Sequence, residues 1–198
     1  MGKIPFGNQV FKKAVAEIKS GLTGILGSSK KLILVDLDDT LWGGIVGEDG
    51  ATHQGLYDIA FLRTLPNMIV MEPKDENELR HMLKTASNHK GPVAMRYPRG
   101  SGLGVPLDKK IKELEIGKGE VIKDGDDIAI LAYGHTVDCA LAVSQMFEKE
   151  DVKVAVINAR FAKPVDKELI LQYSRRVRCL VTTEEHSLKG GFGSAVLE

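Results

Sequence analysis

Cysteine, net charge and long apolar runs are all scarce in this sequence of 198 residues. The two cysteines, Cys139 and Cys179, lie far apart and do not form the dense pattern of a disulfide-stapled domain, so we expect reduced thiols in a cytoplasmic protein. Lys and Arg together number 27, as do Asp and Glu, so no basic excess favours nucleic acid as a partner. No apolar run approaches the ~20 residues that cross a bilayer, and we expect no membrane contact.

The first 29 residues also lack the hydrophobic segment of a signal peptide. Residues 9–26 instead place apolar side chains at helical spacing, with lysines on the other face. This spacing predicts an N-terminal amphipathic helix, followed by a short flexible link that ends at residue 29.

Beyond residue 30, short apolar segments alternate with segments of helical spacing. The pattern predicts strands at 32–35, 67–71, 91–97, 128–134, 153–160 and 179–185, and helices at 55–64, 73–89, 136–149 and 166–175. Strands that alternate with helices imply parallel sheets joined by βαβ crossovers. The predicted fold class is therefore α/β, with two small parallel-sheet units.

Two local patterns give more detailed predictions. In the helix at 73–89, Pro73 and Asp75 mark the start, and Leu79, Met82 and Leu83 are expected to face the core. The segment "GKGEVIKDGDD" at 117–127 predicts a short hairpin in a connector rich in Gly, Pro, Lys and Asp.

This connector divides the chain into one unit at 30–116 and a second at 119–198. The last helix of the second unit begins at Gly193, close to the end of the given sequence, and a helix needs ~12 residues to hold together without packing. We therefore expect either a partner that covers the second unit or a chain that is a fragment.

The glycine loop, "GEDGATHQG" at 47–55, is the first candidate site. Its glycines allow the backbone to turn tightly and approach a ligand. His53 can transfer protons near neutral pH, and Asp49 can orient a hydroxyl or an amine. A solvated turn with a capping acid and a surface histidine is the alternative.

Two further segments could bind anions. In "RYPRG" at 96–100, Arg99 follows a proline just past a predicted strand, where a guanidinium suits a phosphate monoester. An exposed arginine on a turn is the alternative, and a structural role is expected for Arg96. The segment "GGFGSAV" at 190–196 could form an anion-binding helix N-terminus, although a tight loop before a packed helix is favoured.

The segment "VDLDDT" at 35–40 indicates a different chemistry. Asp36 and Asp38 flank Leu37, so both carboxylates face the same way on an extended segment. Such a pair can hold Mg²⁺, with Asp36 as nucleophile and Asp38 as acid and base. Capping acids at a strand end are the alternative.

From residue 45 to 198 the sequence closely resembles the 1-deoxy-D-xylulose-5-phosphate synthase family of the transketolase superfamily. The resemblance rests on "IVGEDGATHQGLYDIAFLRTLPNMIVMEPKDENELRHML", "GPVAMRYPRGSGLGV", "IGKGEVIKDGDDIAILAYG", "VINARFAKPVD" and "TTEEHSLKGGFGSAVLE", with a weaker match at 3–26. It implies a partial pyrimidine-binding-type domain at 30–116 and a truncated transketolase C-terminal-type domain at 119–198.

The resemblance also implies a function. The family joins pyruvate to glyceraldehyde 3-phosphate with loss of CO₂, using thiamine diphosphate and Mg²⁺, in isoprenoid and thiamine biosynthesis. By motif, Asp49 and His53 correspond to the active-site acid and histidine, and Arg99 to a ligand of the substrate phosphate. Members of the superfamily form homodimers, which implies a second copy or a complementing chain as partner.

Parts of that machinery have no counterpart in this sequence. The "GDG…N" signature for Mg²⁺ and diphosphate and the activating glutamate are missing, and Trp42 occupies the position of a phosphate-binding arginine. We therefore expect a synthase-like transferase that is inactive alone and whose binding of thiamine diphosphate is weak. A non-catalytic dimerising fragment is the second hypothesis.

Residues 32–50 instead resemble the haloacid-dehalogenase-like phosphatases, through "DLDDTLWGGIVGEDG". This resemblance implies a Mg²⁺-dependent phosphatase with Asp36 and Asp38 as catalytic residues and metal ligands, and Thr40 as the hydroxyl of the motif. It is the third hypothesis.

Overall fold

The computed structural model describes the backbone of residues 31–36 and, with side chains, residues 55, 57–98 and 102–198. The predicted helix at 9–26 lies outside these residues. The described elements are β1 (Lys31–Asp36), α1 (Asp58–Thr64), β2 (Ile69–Met71), α2 (Glu76–Asn88), β3 (Val93–Met95), β4 (Glu120–Lys123), β5 (Ile128–Ala132), α3 (Thr136–Glu148), β6 (Val154–Asn158), β7 (Phe161–Lys163), α4 (Lys167–Arg176), β8 (Cys179–Glu184) and α5 (Phe192–Leu197). None of the described helices is both long enough and apolar enough to span a bilayer.

The described strands form two sheets. The larger sheet has the order β1-β8-β5-β6-β4, and the smaller sheet has the order β3-β2-β7. Neighbouring strands run parallel except at one edge of each sheet, where β4 pairs antiparallel with β6 and β7 pairs antiparallel with β2. The predicted α/β class with two small sheets is confirmed, with these two antiparallel edge strands added.

The central strands of the larger sheet are covered on both faces. Every residue of β5 and β6 is buried, as their nearly continuous apolar sequences require. Helix α3 packs on one face, where its Phe147 belongs to the same buried cluster as Ile130 and Val156. Side chains of α1, α4 and α5 pack on the other face. Helix α1, which lies in the first predicted unit, therefore helps to cover the larger sheet.

Helix α2 begins as the sequence predicts, but its buried face differs. Asp75 is the N-cap residue, and its carboxylate accepts a hydrogen bond of 2.7 Å from the backbone N–H of Glu78. Met82 is fully buried, whereas Leu83 is 52% exposed, so the prediction that Leu83 faces the core is wrong. The buried face of α2 is largely polar, because its polar side chains bind the connector. The spacing of apolar residues gave no sign of this.

The predicted hairpin at 117–127 is also wrong. Strand β4 pairs with β6 instead of turning back on its own neighbour. Residues 124–127 cross beneath the start of β6, where Gly125 lies so close that an added Cβ would meet the backbone of Val154 and Ala155 at 2.6 Å. This crossing places β4 and β5 on opposite sides of β6.

Strand β1 belongs to the larger sheet. It pairs in parallel with β8 over six residues, from Lys31 opposite Cys179 to Asp36 opposite Glu184. The strand predicted at 32–35 is therefore present, but it joins the sheet of the second unit and not that of the unit predicted to begin at residue 30. Without β1, strand β8 would be the edge of the larger sheet, with unpaired backbone N–H and C=O groups. Pairing with β1 satisfies these groups.

Strand β7 joins the two sheets. Arg160 adopts a left-handed conformation with φ of 61°, which turns the chain from β6 of the larger sheet into β7 of the smaller one. The carbonyl of Arg160 accepts a hydrogen bond of 3.0 Å from the N–H of Glu72, just past β2. Phe161 is fully buried against Met71 and Met82, so the second unit completes the core of the first.

We predict that Phe161→Ala lowers the free energy of unfolding by about 3–5 kcal/mol, because it leaves a cavity at the junction of the two sheets. Leu83→Ala is the matched control, because the exposed Leu83 leaves no cavity, and its effect is expected within about 0.5 kcal/mol. Urea unfolding followed by circular dichroism measures both values. Equal losses in the two variants would contradict the described packing.

Candidate active site

Charged side chains follow directly or shortly after four parallel strands. Glu72 follows β2, Arg96 follows β3, His135 comes shortly after β5, and Glu185 follows β8. The carboxyl ends of parallel strands meet at one edge of a sheet, which is where open α/β sheets bind ligands. We call these four residues, two from each sheet, the edge cluster.

The edge cluster is a chain of alternating charges. Arg96 Nη1 lies 3.2 Å from Glu72 Oε2, and Glu72 Oε1 lies 3.8 Å from His135 Nδ1. His135 Nε2 lies 2.5 Å from Glu185 Oε1. The side chain of Glu72 is only 2% exposed. Such buried charges are tolerated only when they are paired, so the cluster holds the two sheets in one arrangement.

The pairing fixes the charge of each member. Burial opposes protonation of His135, but the carboxylates of Glu185 and Glu72 raise its pKa to about 10. Burial would raise the pKa of Glu72, but Arg96 and His135 hold that pKa below its ordinary value. Burial would lower the pKa of Arg96, but Glu72 and Glu185 raise it. Near neutral pH, His135 is therefore a cation between two carboxylates.

Arg96 connects the edge cluster to the glycine loop. Its Nη2 atom lies 3.4 Å from the carbonyl oxygen of Gly55, the last residue of that loop. Its backbone N–H donates a hydrogen bond of 2.9 Å to the carbonyl of Met71 in β2. The structural role predicted for Arg96 agrees with these contacts, and the start of "RYPRG" touches the end of "GEDGATHQG".

The residues predicted to act on substrate lie outside the described part of the chain. These are Asp49 and His53 in the glycine loop and Arg99 in "RYPRG". Their described neighbours Gly55 and Arg96 are in contact, but the positions of the three side chains stay a prediction. For the phosphatase alternative, Asp36 ends β1, where only backbone is described, and Asp38 and Thr40 also lie outside the described residues.

A second histidine holds the helix that follows the glycine loop. Tyr57 gives α1 no side-chain cap, and His186 Nε2 accepts hydrogen bonds from the N–H groups of Ile59 at 3.1 Å and Ala60 at 3.4 Å. His186 Nδ1 therefore carries the proton and donates to the carbonyl of Ser187 at 3.0 Å. Burial lowers the pKa of His186, which keeps the ring neutral for this capping.

The segment "GGFGSAV" is a packed helix start and not an open anion site. The carboxylate of Glu184 accepts hydrogen bonds from the N–H groups of Phe192 at 2.6 Å and Gly193 at 2.7 Å. These are the donors that an external anion would need. The favoured structural interpretation is confirmed.

A second group of charges joins the sheets away from this edge cluster. Glu78 of α2, only 1% exposed, accepts hydrogen bonds from Asn158 Nδ2 at 2.9 Å and from Arg160 Nε at 2.6 Å. Burial would raise the pKa of Glu78, but Lys74 and Arg160 hold it below its ordinary value. The charges of Glu78 and Arg160 are therefore paired with each other and are not available to a substrate.

The described residues do not fit the metal part of a thiamine diphosphate site. Within 55, 57–98 and 102–198, no group of three or more His, Cys, Asp or Glu residues could hold a metal ion. The acids of "KDGDDIA", residues 123–129, are already paired with other side chains of the protein. Asp124 accepts hydrogen bonds from Arg176 and from Tyr173, which lower its pKa to about 2, and Asp126 also pairs with Arg176.

The sequence motifs did not identify Glu72, His135 and Glu185 as members of a site. All three come immediately or shortly after an apolar strand, in "IVME", "IAILAYGH" and "CLVTTEE". A polar residue at the carboxyl end of a predicted parallel strand was the available signal. Which strands share an edge depends on the β2–β7 pairing, which the sequence pattern did not indicate.

Two family models match the chain. Residues 39–103 match the transketolase pyrimidine-binding domain, and residues 117–198 match the transketolase C-terminal domain. The second match begins at the turn before β4, and the first takes in the glycine loop and "RYPRG".

Curated relatives agree with these matches. The chain is 57% identical over 156 residues to 1-deoxy-D-xylulose-5-phosphate synthase 1 of Geobacter sulfurreducens, covering 79% of this chain and 24% of that protein. It is 54% identical over 156 residues to the 1-deoxy-D-xylulose-5-phosphate synthase of Heliobacterium modesticaldum, with the same coverage of 79% and 24%. The chain thus spans about a quarter of the length of the curated relatives it matches.

Solved structures show the same fold. A split gene transketolase, described as an inactive beta4 tetramer, superposes with a TM-score of 0.68 at 32% identity, covering 92% of this chain and 59% of that one. Transketolase from Campylobacter jejuni gives a TM-score of 0.54 at 18% identity, covering 91% of this chain and 28% of that one, which supports the fold alone.

The phosphatase alternative finds no support in these comparisons. The pyrimidine-binding match begins at residue 39 and so includes Thr40, while Asp36 and Asp38 lie just before it. We do not propose a phosphatase.

We predict that the charge on His135 makes the fold less stable as pH rises. Its pKa is about 10 in the folded chain and near 6.5 when unfolded, so the stabilisation is complete below pH 6.5 and is lost as pH approaches 10. The loss is at most about 1.4 kcal/mol per pH unit, the value for one proton. Urea unfolding at several pH values measures it.

His135→Gln isolates this effect. The stability difference between wild type and His135→Gln should shrink as pH rises from 6.5 to 10. A difference between wild type and His135→Gln that stays constant across this window would contradict the assigned charge.

Proposed function

Because this chain belongs to the transketolase superfamily, we propose that it supplies the pyrimidine-binding and C-terminal parts of a 1-deoxy-D-xylulose-5-phosphate synthase. That enzyme joins pyruvate to glyceraldehyde 3-phosphate with loss of CO₂, a step toward isoprenoids and thiamine. Enzymes of this family depend on thiamine diphosphate and a divalent metal.

The contact between Arg96 and Gly55 is the observation that carries the proposal. It ties the first residue of "RYPRG" to the last residue of "GEDGATHQG" at the carboxyl edge of the smaller sheet. In the sequence, Arg99 is three residues from Arg96, and His53 is two residues from Gly55. The contact between Arg96 and Gly55 therefore supports one shared cleft.

Each predicted site residue has a role in that cleft. Arg99 binds the phosphate of the sugar through charge-assisted hydrogen bonds. His53 transfers a proton at the reacting carbonyl or hydroxyl oxygen, and Asp49 orients that hydroxyl. Thiamine diphosphate supplies the carbanion chemistry when it is bound in the complete enzyme.

The chain acts in an assembly. Among the described residues no group of acids, histidines or cysteines could hold the metal, and we propose that another chain or domain supplies its ligands. Helix α1 and the residues that flank it leave Tyr57, Phe61 and Leu65 exposed, at 64%, 55% and 43%. An exposed apolar face of this kind supports association with a second copy or a complementing chain. We place the assembly in the cytoplasm, where neither Cys139 nor Cys179 would form a disulfide.

We predict that Arg99→Ala weakens binding of D-glyceraldehyde 3-phosphate ten- to a hundredfold, about the cost of one charge-assisted contact. Arg178→Ala, at an exposed position at the other end of the larger sheet, is the control and should bind like wild type. Nuclear magnetic resonance titration of the full chain measures these weak affinities. Equal affinity in wild type and Arg99→Ala would remove Arg99 from the site.

We further predict that thiamine diphosphate with Mg²⁺ gives no micromolar binding to the chain alone, measured by isothermal calorimetry. The physical reason is that the described residues contain no group of side chains that could hold the metal. The synthase of Geobacter sulfurreducens, titrated in the same buffer, is the positive control. Micromolar binding to the isolated chain would show that residues outside the described part complete the cofactor site.

A further inference from the structure

The two ends of helix α1 are held by the loop between β8 and α5. At the start of α1, His186 Nε2 accepts hydrogen bonds from the N–H groups of Ile59 at 3.1 Å and Ala60 at 3.4 Å. At its end, Arg63 Nη1 donates to the carbonyl of Gly190 at 2.9 Å. The contacts of Ile59 and Arg63 each join residues that are 127 positions apart, so α1 of the first predicted unit is fastened to the second unit at two points.

The junction around His186 is closed to solvent. His186 and Ile59 are both fully buried. A Cβ added to Gly190 would lie 2.8 Å from the Cβ of Ala60, so the loop between β8 and α5 passes as close to α1 as the backbone allows. Because Tyr57 gives α1 no side-chain cap and water does not reach the ring, the first turn depends on His186 as its acceptor.

Of the two attachments, only the histidine can change with pH. Because His186 Nε2 accepts from two N–H groups, Nδ1 carries the proton of the ring and donates to the carbonyl of Ser187 at 3.0 Å. A second proton must therefore bind Nε2, which would turn this acceptor into a donor that faces the N–H groups of Ile59 and Ala60. An arginine guanidinium does not lose its proton in proteins, so the attachment at Arg63 has no such response.

The surroundings of His186 favour the neutral ring. Burial is the largest factor that lowers its pKa, and the positive charge of Arg96 in the edge cluster acts in the same direction. Backbone hydrogen bonding to Ser187 and Tyr57 and the carboxylate of Asp58 oppose this effect without cancelling it. The N-terminus of a helix carries a partial positive charge, which adds to the cost of a cation at this position.

The other charged groups on the surrounding elements are bound elsewhere. Glu184 accepts hydrogen bonds from N–H groups at the start of α5, and Lys163 of β7 donates to backbone carbonyls at the end of α1. Glu185 pairs with His135, whose raised pKa keeps it protonated from neutral pH downwards. The group at this junction that gains a proton just below neutral pH is therefore the ring of His186.

We infer that His186 is a pH-sensitive fastening between the two units: when a proton from solvent binds Nε2, the first turn of α1 detaches from the loop between β8 and α5, while Arg63 keeps the last turn attached. This device is additional to the proposed function and does not depend on it. A histidine released from the cap has a pKa near 6.5, and the capped ring has a lower one. The cap is therefore complete above about pH 6.5 and is lost as pH falls through the lower pKa of the capped ring.

Nuclear magnetic resonance on the full chain, from about pH 7.5 to about pH 5, tests this device. The nitrogen-15 shifts of the His186 ring report which ring atom carries a proton, and amide protection factors at Ile59 and Ala60 report the cap. Glu78 is the control amide in the same sample, because its N–H is capped by the carboxylate of Asp75 and not by a histidine. His186→Gln is the matched variant, since its amide oxygen can accept from the same N–H groups without titrating.

Wild type should have an unprotonated Nε2 atom at about pH 7.5 and should lose protection at Ile59 and Ala60 as pH falls toward 5. One proton bound per opening gives about tenfold per pH unit below the ordinary histidine pKa, so the protection factors should fall about three- to thirtyfold. Glu78 should keep its protection across the range. His186→Gln should show the same protection at Ile59 and Ala60 at both ends of the range.

Unchanged protection at Ile59 and Ala60 in wild type would overturn the inference, as would an equal loss in His186→Gln. A loss at Glu78 that accompanies the loss at Ile59 would show global unfolding and would also overturn a local release. If His186→Gln does not fold, wild type alone decides. The loss must then be confined to pH values below about 6.5, and a ring whose Nε2 atom is protonated at about pH 7.5 would overturn the assignment.

Discussion

The pairing of β7 with β2 is the contact on which the rest of the structure depends. It brings a strand of the second unit into the sheet of the first, and the left-handed turn at Arg160 makes it possible. Both sheets then present their carboxyl ends to a common region. Phe161 fills the core beneath this junction, so the hydrophobic effect and the backbone hydrogen bonds favour the same arrangement.

This arrangement explains why charged residues can be buried where the sheets meet. Glu72 and Arg96 come from the smaller sheet, and His135 and Glu185 from the larger one. Each charge is costly alone and is stabilised only by a neighbour of opposite sign, so the alternation specifies one relative position of the two sheets. The same edge holds the end of the glycine loop through Arg96, which links the packing of the fold to the proposed cleft.

Local patterns predicted most of the elements but not their partners. Apolar runs located β5, β6 and β8, and Asp75 marked the start of α2, because burial and capping depend on nearby residues. The strand β7, the pairing of β4 with β6 and the exposure of Leu83 depend on contacts between distant segments, which spacing does not encode. For the site, motifs gave Asp49, His53 and Arg99, whereas Glu72, His135 and Glu185 became recognisable only when strand order was known.

The proposed function requires that the glycine loop and the segment around Arg99 share one cleft at the carboxyl edge. Paramagnetic relaxation tests this most directly, with a nitroxide attached at His53→Cys in a chain whose two native cysteines are replaced by alanine. A shared cleft predicts the strongest broadening at the amides of residues 96–102 other than Pro98 and none at Asp127 or Lys153, which lie at the opposite edge of the larger sheet. Unbroadened signals from Arg96 to Gly102 would contradict it.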